Sequence, residues 1–249
     1  MPAEHDPDAL EPEGGQSASG SPIYRHRQAD RDWSPPESPG LHLEEIEAHL
    51  QRHVGKVEHV FHEVVSDLVH LDVLLIPPAD DRPFKVLVTS GVSERPMAVP
   101  EGLEEFRRAE LMIALAPDWP LSQEALRDEA NYWPIRWLKS VGRLPHEYQT
   151  WIGWGHSIPN GDPAEPIGGT GFVGVVLLPP YGFDPEIFRL NTASGEPITF
   201  YWLVPLYPEE MALKLDQGID ALEDRLNFDD LGFVLDPDRP NVARDGQSP

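Results

Sequence analysis

Helical stripes and strand-like apolar runs are mixed along this chain without the regular β-α-β alternation of a doubly wound enzyme. The stretch LHLEEIEAHLQRHVG (41–55) sets Leu43, Ile46, Leu50 and Val54 at steps of three and four. That predicts one helix, with Gly55 as its stop. KVEHVFHEV (56–64) alternates, and VHLDVLLIPP (69–78) is rich in β-branched residues. With Ser66-Asp67 as a tight turn, the two predict an antiparallel hairpin. FKVLVTS (84–90), TGFVGVVLLPP (170–180) and GEPITFYWLVPL (195–206) read as further strands, and AELMIALAPDWP (109–120) fits either a helix or a buried strand, the sharp stop at Pro117 favouring the strand. Ser122 is an N-cap candidate for one helix, and Pro134 sits in the first turn expected for a second over 133–148, which Pro145 ends. A last helix opens at Tyr207-Pro208-Glu209-Glu210, carries Met211, Leu215, Ile219, Leu222 and Leu226 as its stripe, and is split by Gly218. The fold class is therefore α/β of the α+β type, a single domain with a mixed β-sheet flanked by helices. Its expected core includes Leu71, Val73, Leu75, Val86, Val88, Val175, Leu177 and Leu203.

Charge and composition narrow the function. Asp and Glu total 43 against 19 Lys and Arg, a net charge of −24, which speaks against nucleic acid and against an anionic membrane surface as partners. Cysteine is absent, so disulfides, thiolate zinc sites, iron–sulfur clusters and Cys nucleophiles drop out together. No apolar run reaches the ~18 residues of a membrane helix, and no signal peptide is visible, so a cytoplasmic protein is expected. Residues 1–40 hold seven Pro and eight acids with no sustained period, and read as a disordered acidic leader in which Trp33 and Ile23 are the local docking candidates. Residues 41–243 form the domain and 244–249 a flexible tail.

The search for chemistry gives weak candidates. Six of the ten histidines lie between 42 and 70, which makes the hairpin and its preceding helix the place to look for a metal. His49 and His53 are four apart, but Glu does not follow the first His as a zincin needs, and solvated or half-buried helix histidines are the plainer reading. With Ser66-Asp67 as the turn, Glu63 faces His70 and Phe61 faces Asp72. His59, Glu63, His70 and Asp72 then share one sheet face, opposite Val60, Val64, Val69, Leu71 and Val73. Imidazoles and carboxylates on one face suit a divalent ion, and equally the polar side of a half-exposed sheet. The Gly168-Gly169 stretch lacks the Lys and the helix of a phosphate loop. Ser90 follows a strand without a Gly-x-Ser-x-Gly frame, and no Ser–His–Asp arrangement is defined by spacing. Trp133 and Trp137, four apart, read as packing residues.

Taken in order, FHEVVSDLVHLDVLLIPP (61–78), LVTSGVSERPMAVPE (87–101), AELMIALAPDW (109–119), YWPIRWLKSVGRLPHEYQTWIGWGHSIPNG (132–161) and FYWLVPLYPEEM (200–211) resemble the suppressor-of-fused domain, bacterial single-domain members included. The resemblance covers about residues 43–242. It implies a non-enzymatic binding protein without a cofactor. The larger animal relatives restrain a transcription factor by clamping an extended peptide. Bacterial single-domain relatives are associated with polymorphic toxin systems, where they look like immunity proteins.

Two function classes follow. In the first, the chain is a protein-binding module, an immunity protein whose acidic surface meets a basic toxin domain, with exposed loops carrying Asp67, His70, Asp72, Ser90, Ser93 and Glu94 as the contact residues. The second is a metal-dependent hydrolase using His59, His62, Glu63, His70 and Asp72. Oligomeric state is left open by the sequence.

Overall fold

A computed structural model describes residues 15–26, 32–228, 232 and 234–244. Its centre is a mixed sheet with strand order β1-β2-β3-β4-β8-β6-β5. In chain order these are β1 (His59–Phe61), β2 (Asp72–Ile76), β3 (Lys85–Ser90), β4 (Ala109–Leu115), β5 (Ser157–Pro159), β6 (Gly174–Leu178), β7 (Arg189–Asn191), β8 (Pro197–Leu206) and β9 (Val234–Leu235). Neighbours are antiparallel except that β8 and β9 both run parallel to β4, with Ala109 opposite Thr199 and Ala114 opposite Val234. β7 pairs with β8 outside the main path.

Strand alternation feeds two separate cores, because successive side chains point to opposite faces. On one face Leu74, Ile76, Val86, Val88, Met112, Val176, Phe200, Trp202 and Val204 are covered by α1 (Leu43–His53) and α4 (Ile219–Leu226) through Ile46, Leu50, Leu222 and Leu226. On the other, Val73, Leu87, Leu111, Ile113, Val175, Leu177, Tyr201 and Leu203 pack on α2 (Glu129–Glu147) through Trp133, Trp137, Leu138 and Val141. A sheet covered on both faces explains why β4 and β6 read as unbroken apolar runs and not as alternating ones. Of the expected core, Leu75 is only half-buried, and Leu71 belongs to a small cluster with Val69 and Val92.

Several expectations are corrected. The hairpin exists, but its register is shifted by one: Phe61 faces Val73, where Asp72 was expected, and residues 62–71 form a loop in place of a two-residue turn. The cause is local: the Asp72 carboxylate accepts the Glu63 N–H at 2.8 Å, and Glu63 accepts the Leu71 N–H at 3.2 Å, so side chains replace ladder bonds. Val64 consequently leaves the core face and is 95% exposed. The two helices expected over 122–148 are a 3₁₀ turn and one helix. Ser122 Oγ accepts the Ala125 N–H, while the cap of α2 is Asp128, whose carboxylate accepts the Ala130 N–H. Pro134 and Pro145 lie inside α2, held there by its buried face. Leu215 leaves the expected stripe and is exposed on α3 (Pro208–Gln217), which Gly218 separates from α4 as expected.

The described parts of the leader, 15–26 and 32–40, make contacts with the body. Ser19 N–H donates to Leu215 O, the His26 ring stacks 5.0 Å from that of Tyr148, and Leu68 N–H donates to Ser34 O. Residues 1–14 and 27–31, and 245–249 of the expected tail, fall outside the described residues. Among those described, no helix is long and apolar enough to cross a membrane.

Candidate functional site

The 62–71 loop and the turn after β3 meet at the end of β2, and a chain of carboxylates joins them. Asp72 opens β2 and is largely buried. One of its oxygens accepts the Glu63 N–H and lies 3.2 Å from His70 Nε2, and the other lies 2.9 Å from His62 Nδ1. His70 Nδ1 in turn lies 2.7 Å from Ser66 Oγ. Glu63 is ion-paired with Arg143 of α2, while burial pushes the pKa of Lys139, also on α2, below its ordinary value against the pull of Asp72.

Beneath this loop lies a group that sequence reasoning missed. Glu110, the second residue of the apolar β4, is fully buried. It accepts the Thr89 hydroxyl at 2.6 Å, the Ser93 hydroxyl at 2.6 Å, and the N–H groups of Gly91 and Ser93 at 3.0 and 3.1 Å. Burial pushes its carboxyl up to about 7 although these four donors oppose the shift. The turn 91–94 is thus wrapped around a carboxylate. Arg108 closes it from outside, donating to the Ser93 and Glu94 carbonyls at 2.5 and 3.1 Å and pairing with Glu196.

The residues expected to contact a partner divide accordingly. Ser90, Ser93 and Glu94 are buried, where exposure was expected. Ser93 serves Glu110, and the Glu94 carboxylate accepts the N–H groups of Gly40 and His70, with burial raising its pKa. Asp72 is 9% exposed and is bound up in the loop. Asp67 and His70 remain half-buried, and Asp67 accepts the Ser34 N–H at 3.0 Å. Beside the exposed His62, the loop turns Val64 at 95% and Val65 at 77% to solvent, and Trp33, 62% exposed, donates its indole N–H to the Ser66 carbonyl. No spacing rule pointed to them, since Val64 fitted a buried strand position.

The five residues expected for a metal are not presented as one ligand set. His62, His70 and Asp72 adjoin, but both Glu63 oxygens are engaged by Arg143 and Leu71, and His59 sets its ring edge-on to Phe61 at 4.8 Å. His49 is buried against the Ile187 carbonyl at 3.1 Å. Among the described residues, the trio whose ligand atoms lie within 4.8 Å of one another is His53, Asp184 and Glu186, at the end of α1.

Comparison with known proteins adds the following. A family model described as suppressor of fused protein (SUFU) matches residues 67–240. A solved suppressor-of-fused homologue from Neisseria gonorrhoeae FA 1090 is similar with a TM-score of 0.52 and 15% identity, covering 80% of this chain and 95% of its own. A solved Sufu–Fu complex is similar with a TM-score of 0.55 and 18% identity, covering 84% and 93%. At these identities the likeness is one of fold. No curated protein matches the chain in sequence.

Proposed function

Since the chain belongs to the suppressor of fused family, we propose that it is a non-enzymatic protein-binding domain over residues 41–243 that acts in the cytoplasm as an immunity protein, neutralising a basic toxin domain. The observation that carries this reading is the apolar tip formed by Val64 and Val65, with Trp33 held beside it, on a molecule of net charge −24. Contiguous exposed apolar side chains on a charged surface mark protein interaction sites. A strongly acidic surface speeds encounter with a basic partner and rejects acidic ones, while the apolar tip supplies an anchor that leaves water on docking. Likeness to a relative solved in complex with Fu agrees with a protein partner. Asp67, half-buried beside the tip, is the residue of the expected contact set best placed to meet an Arg or Lys.

The test takes the genes that flank this one, co-expresses any that encodes a toxin domain, and scores survival and a purified complex; flanking genes without a toxin count against the immunity role. Rescue and a complex whose association slows as salt rises are expected. Val64→Asp with Val65→Asp removes both while the free protein stays folded. The absence of any complex or rescue, or rescue that survives the double substitution, refutes the proposal.

A further inference from the structure

The crown of the 62–71 loop is tied to the leader through the main chain. The Ser66 carbonyl accepts the Trp33 indole N–H at 3.1 Å, and the Asp67 carboxylate accepts the Ser34 N–H at 3.0 Å. The Ser34 carbonyl in turn accepts the Leu68 N–H at 2.8 Å. Leu68 is buried at a φ of +67°, a left-handed conformation that a leucine keeps only where its surroundings hold it. Further along the leader, the Gly40 N–H donates to Glu94, whose other oxygen accepts the His70 N–H at 3.4 Å. Residues 33–40 are thus fastened to the loop directly at one end and through Glu94 at the other. Between the fastenings stand Pro35, Pro36 and Pro39. Each proline fixes its own φ and holds the residue before it extended, so the segment loses little conformational entropy in lying along the body.

We propose that residues 33–40 act as a strap that sets the conformation of the docking loop, with Ser34 as its positioning residue. The role rests on the reading of Val64 and Val65 as the tip that meets a partner. A tip held in its bound shape before contact loses less freedom on docking, and so binds more tightly. With the strap released, the same two valines stand on a segment that has to be ordered at each encounter. The leader thereby belongs to the binding machinery and controls it from outside the sheet.

The experiment uses the full chain and follows amide hydrogen exchange residue by residue. In wild type the Leu68 amide is protected. Ser34→Pro deletes the donor to Asp67, and exchange at Leu68 and Val69 is expected to quicken at least ~10-fold while β2 to β4 and the urea midpoint stay as they were. Ser34→Ala is silent, because the Ser34 bonds are made by its main chain. Trp33→Phe keeps a ring, deletes the indole donor without touching the backbone, and loosens the same amides to a smaller degree. Unchanged exchange in Ser34→Pro and Trp33→Phe overturns the proposal. So does a loss of protection spread evenly over the sheet, which is what a purely structural role produces. In a purified complex Ser34→Pro is expected to weaken binding at least ~10-fold, and equal affinity also overturns the strap. A wild type that forms no complex overturns the docking reading alone, since exchange is measured on the free chain.

Discussion

Arg239 meets Glu210 with two parallel hydrogen bonds, Nη1 to Oε1 at 2.7 Å and Nη2 to Oε2 at 2.5 Å, and the carboxylate is fully buried. The same carboxylate accepts the N–H groups of Tyr207 and Val242, so it ties the start of α3 to the C-terminal arm. The guanidinium also lies over the Phe172 and Tyr207 rings, about 5 Å from each centroid. Removing one partner strands the other without its counter-charge. Arg239→Ala is expected to cost about 3–5 kcal/mol in urea denaturation. Arg239→Lys recovers only part of this, because an ammonium cannot span both oxygens.

Glu110 makes stability depend on pH in a stated direction. Its folded pKa, pushed up to about 7, lies above the value of 4.5 usual for the unfolded chain. The folded state thus holds a proton that the unfolded state gives up first. The contribution is complete below pH ~4.5 and is lost as pH rises through ~7. Glu110→Gln cannot ionise, so unfolding free energies at pH 5 and 8 should differ less for it than for wild type. An equal difference in the two proteins refutes the assignment.

His146 acts in the opposite window. Burial on α2 pushes its pKa down to about 4, while its Nε2 lies 2.9 Å from the Val92 carbonyl. With the folded value below the ordinary 6.5, its contribution is present above pH ~6.5 and is lost as pH falls toward ~4. An NMR titration should find the His146 ring neutral at pH 5.

Gly91 stands where no side chain fits. Its φ is +128°, and a Cβ there would lie 1.9 Å from the His70 carbonyl oxygen. Gly91→Ala is expected to cost at least ~2 kcal/mol, from strain and from displacing the amide that serves Glu110. Gly102→Ala, also at positive φ but facing open space, should cost only the strain, about 1 kcal/mol. Equal losses at the two positions contradict this account.

Stability and binding should separate at the loop. Val64→Ser and Val65→Ser are expected to change unfolding free energy by less than ~0.5 kcal/mol, since both side chains stand in water. Asp72→Ala should lower stability, because it frees the Glu63 amide and both imidazoles. Differential scanning calorimetry orders the three variants.

The strands that organise the fold were legible because each is a short apolar run closed by proline or glycine, as in VHLDVLLIPP and TGFVGVVLLPP. Their pairing partners were less so. The one-residue shift between β1 and β2 arises from Asp72 and Glu63 binding backbone amides, and a pattern of apolar residues carries no trace of such bonds. Glu110 was hidden for the converse reason, as a lone acid inside AELMIAL that reads as the edge of an apolar strand. The bond between Ser66 and His70 was out of reach because it depends on the loop that the shift creates. Ser90, Ser93 and Glu94 looked like exposed turn residues, but Ser93 turns inward to Glu110 and Glu94 binds the amides of Gly40 and His70.

The parallel pairing of β4 with β8 has a consequence for the order in which the chain assembles. β1 to β4 follow one another as near neighbours, and β6 and β8 pair antiparallel, so each half of the sheet is closed by comparatively local contacts. Ala109 meets Thr199 only after the whole of α2 and the second set of strands has been threaded between them. Such a distant seam carries a large loop-closure entropy, and topologies that depend on one fold slowly. Joining the two halves across β4 and β8 is therefore the expected rate-limiting event. Until it occurs, both strands present bare apolar edges, which is when the nascent protein is most exposed to aggregation.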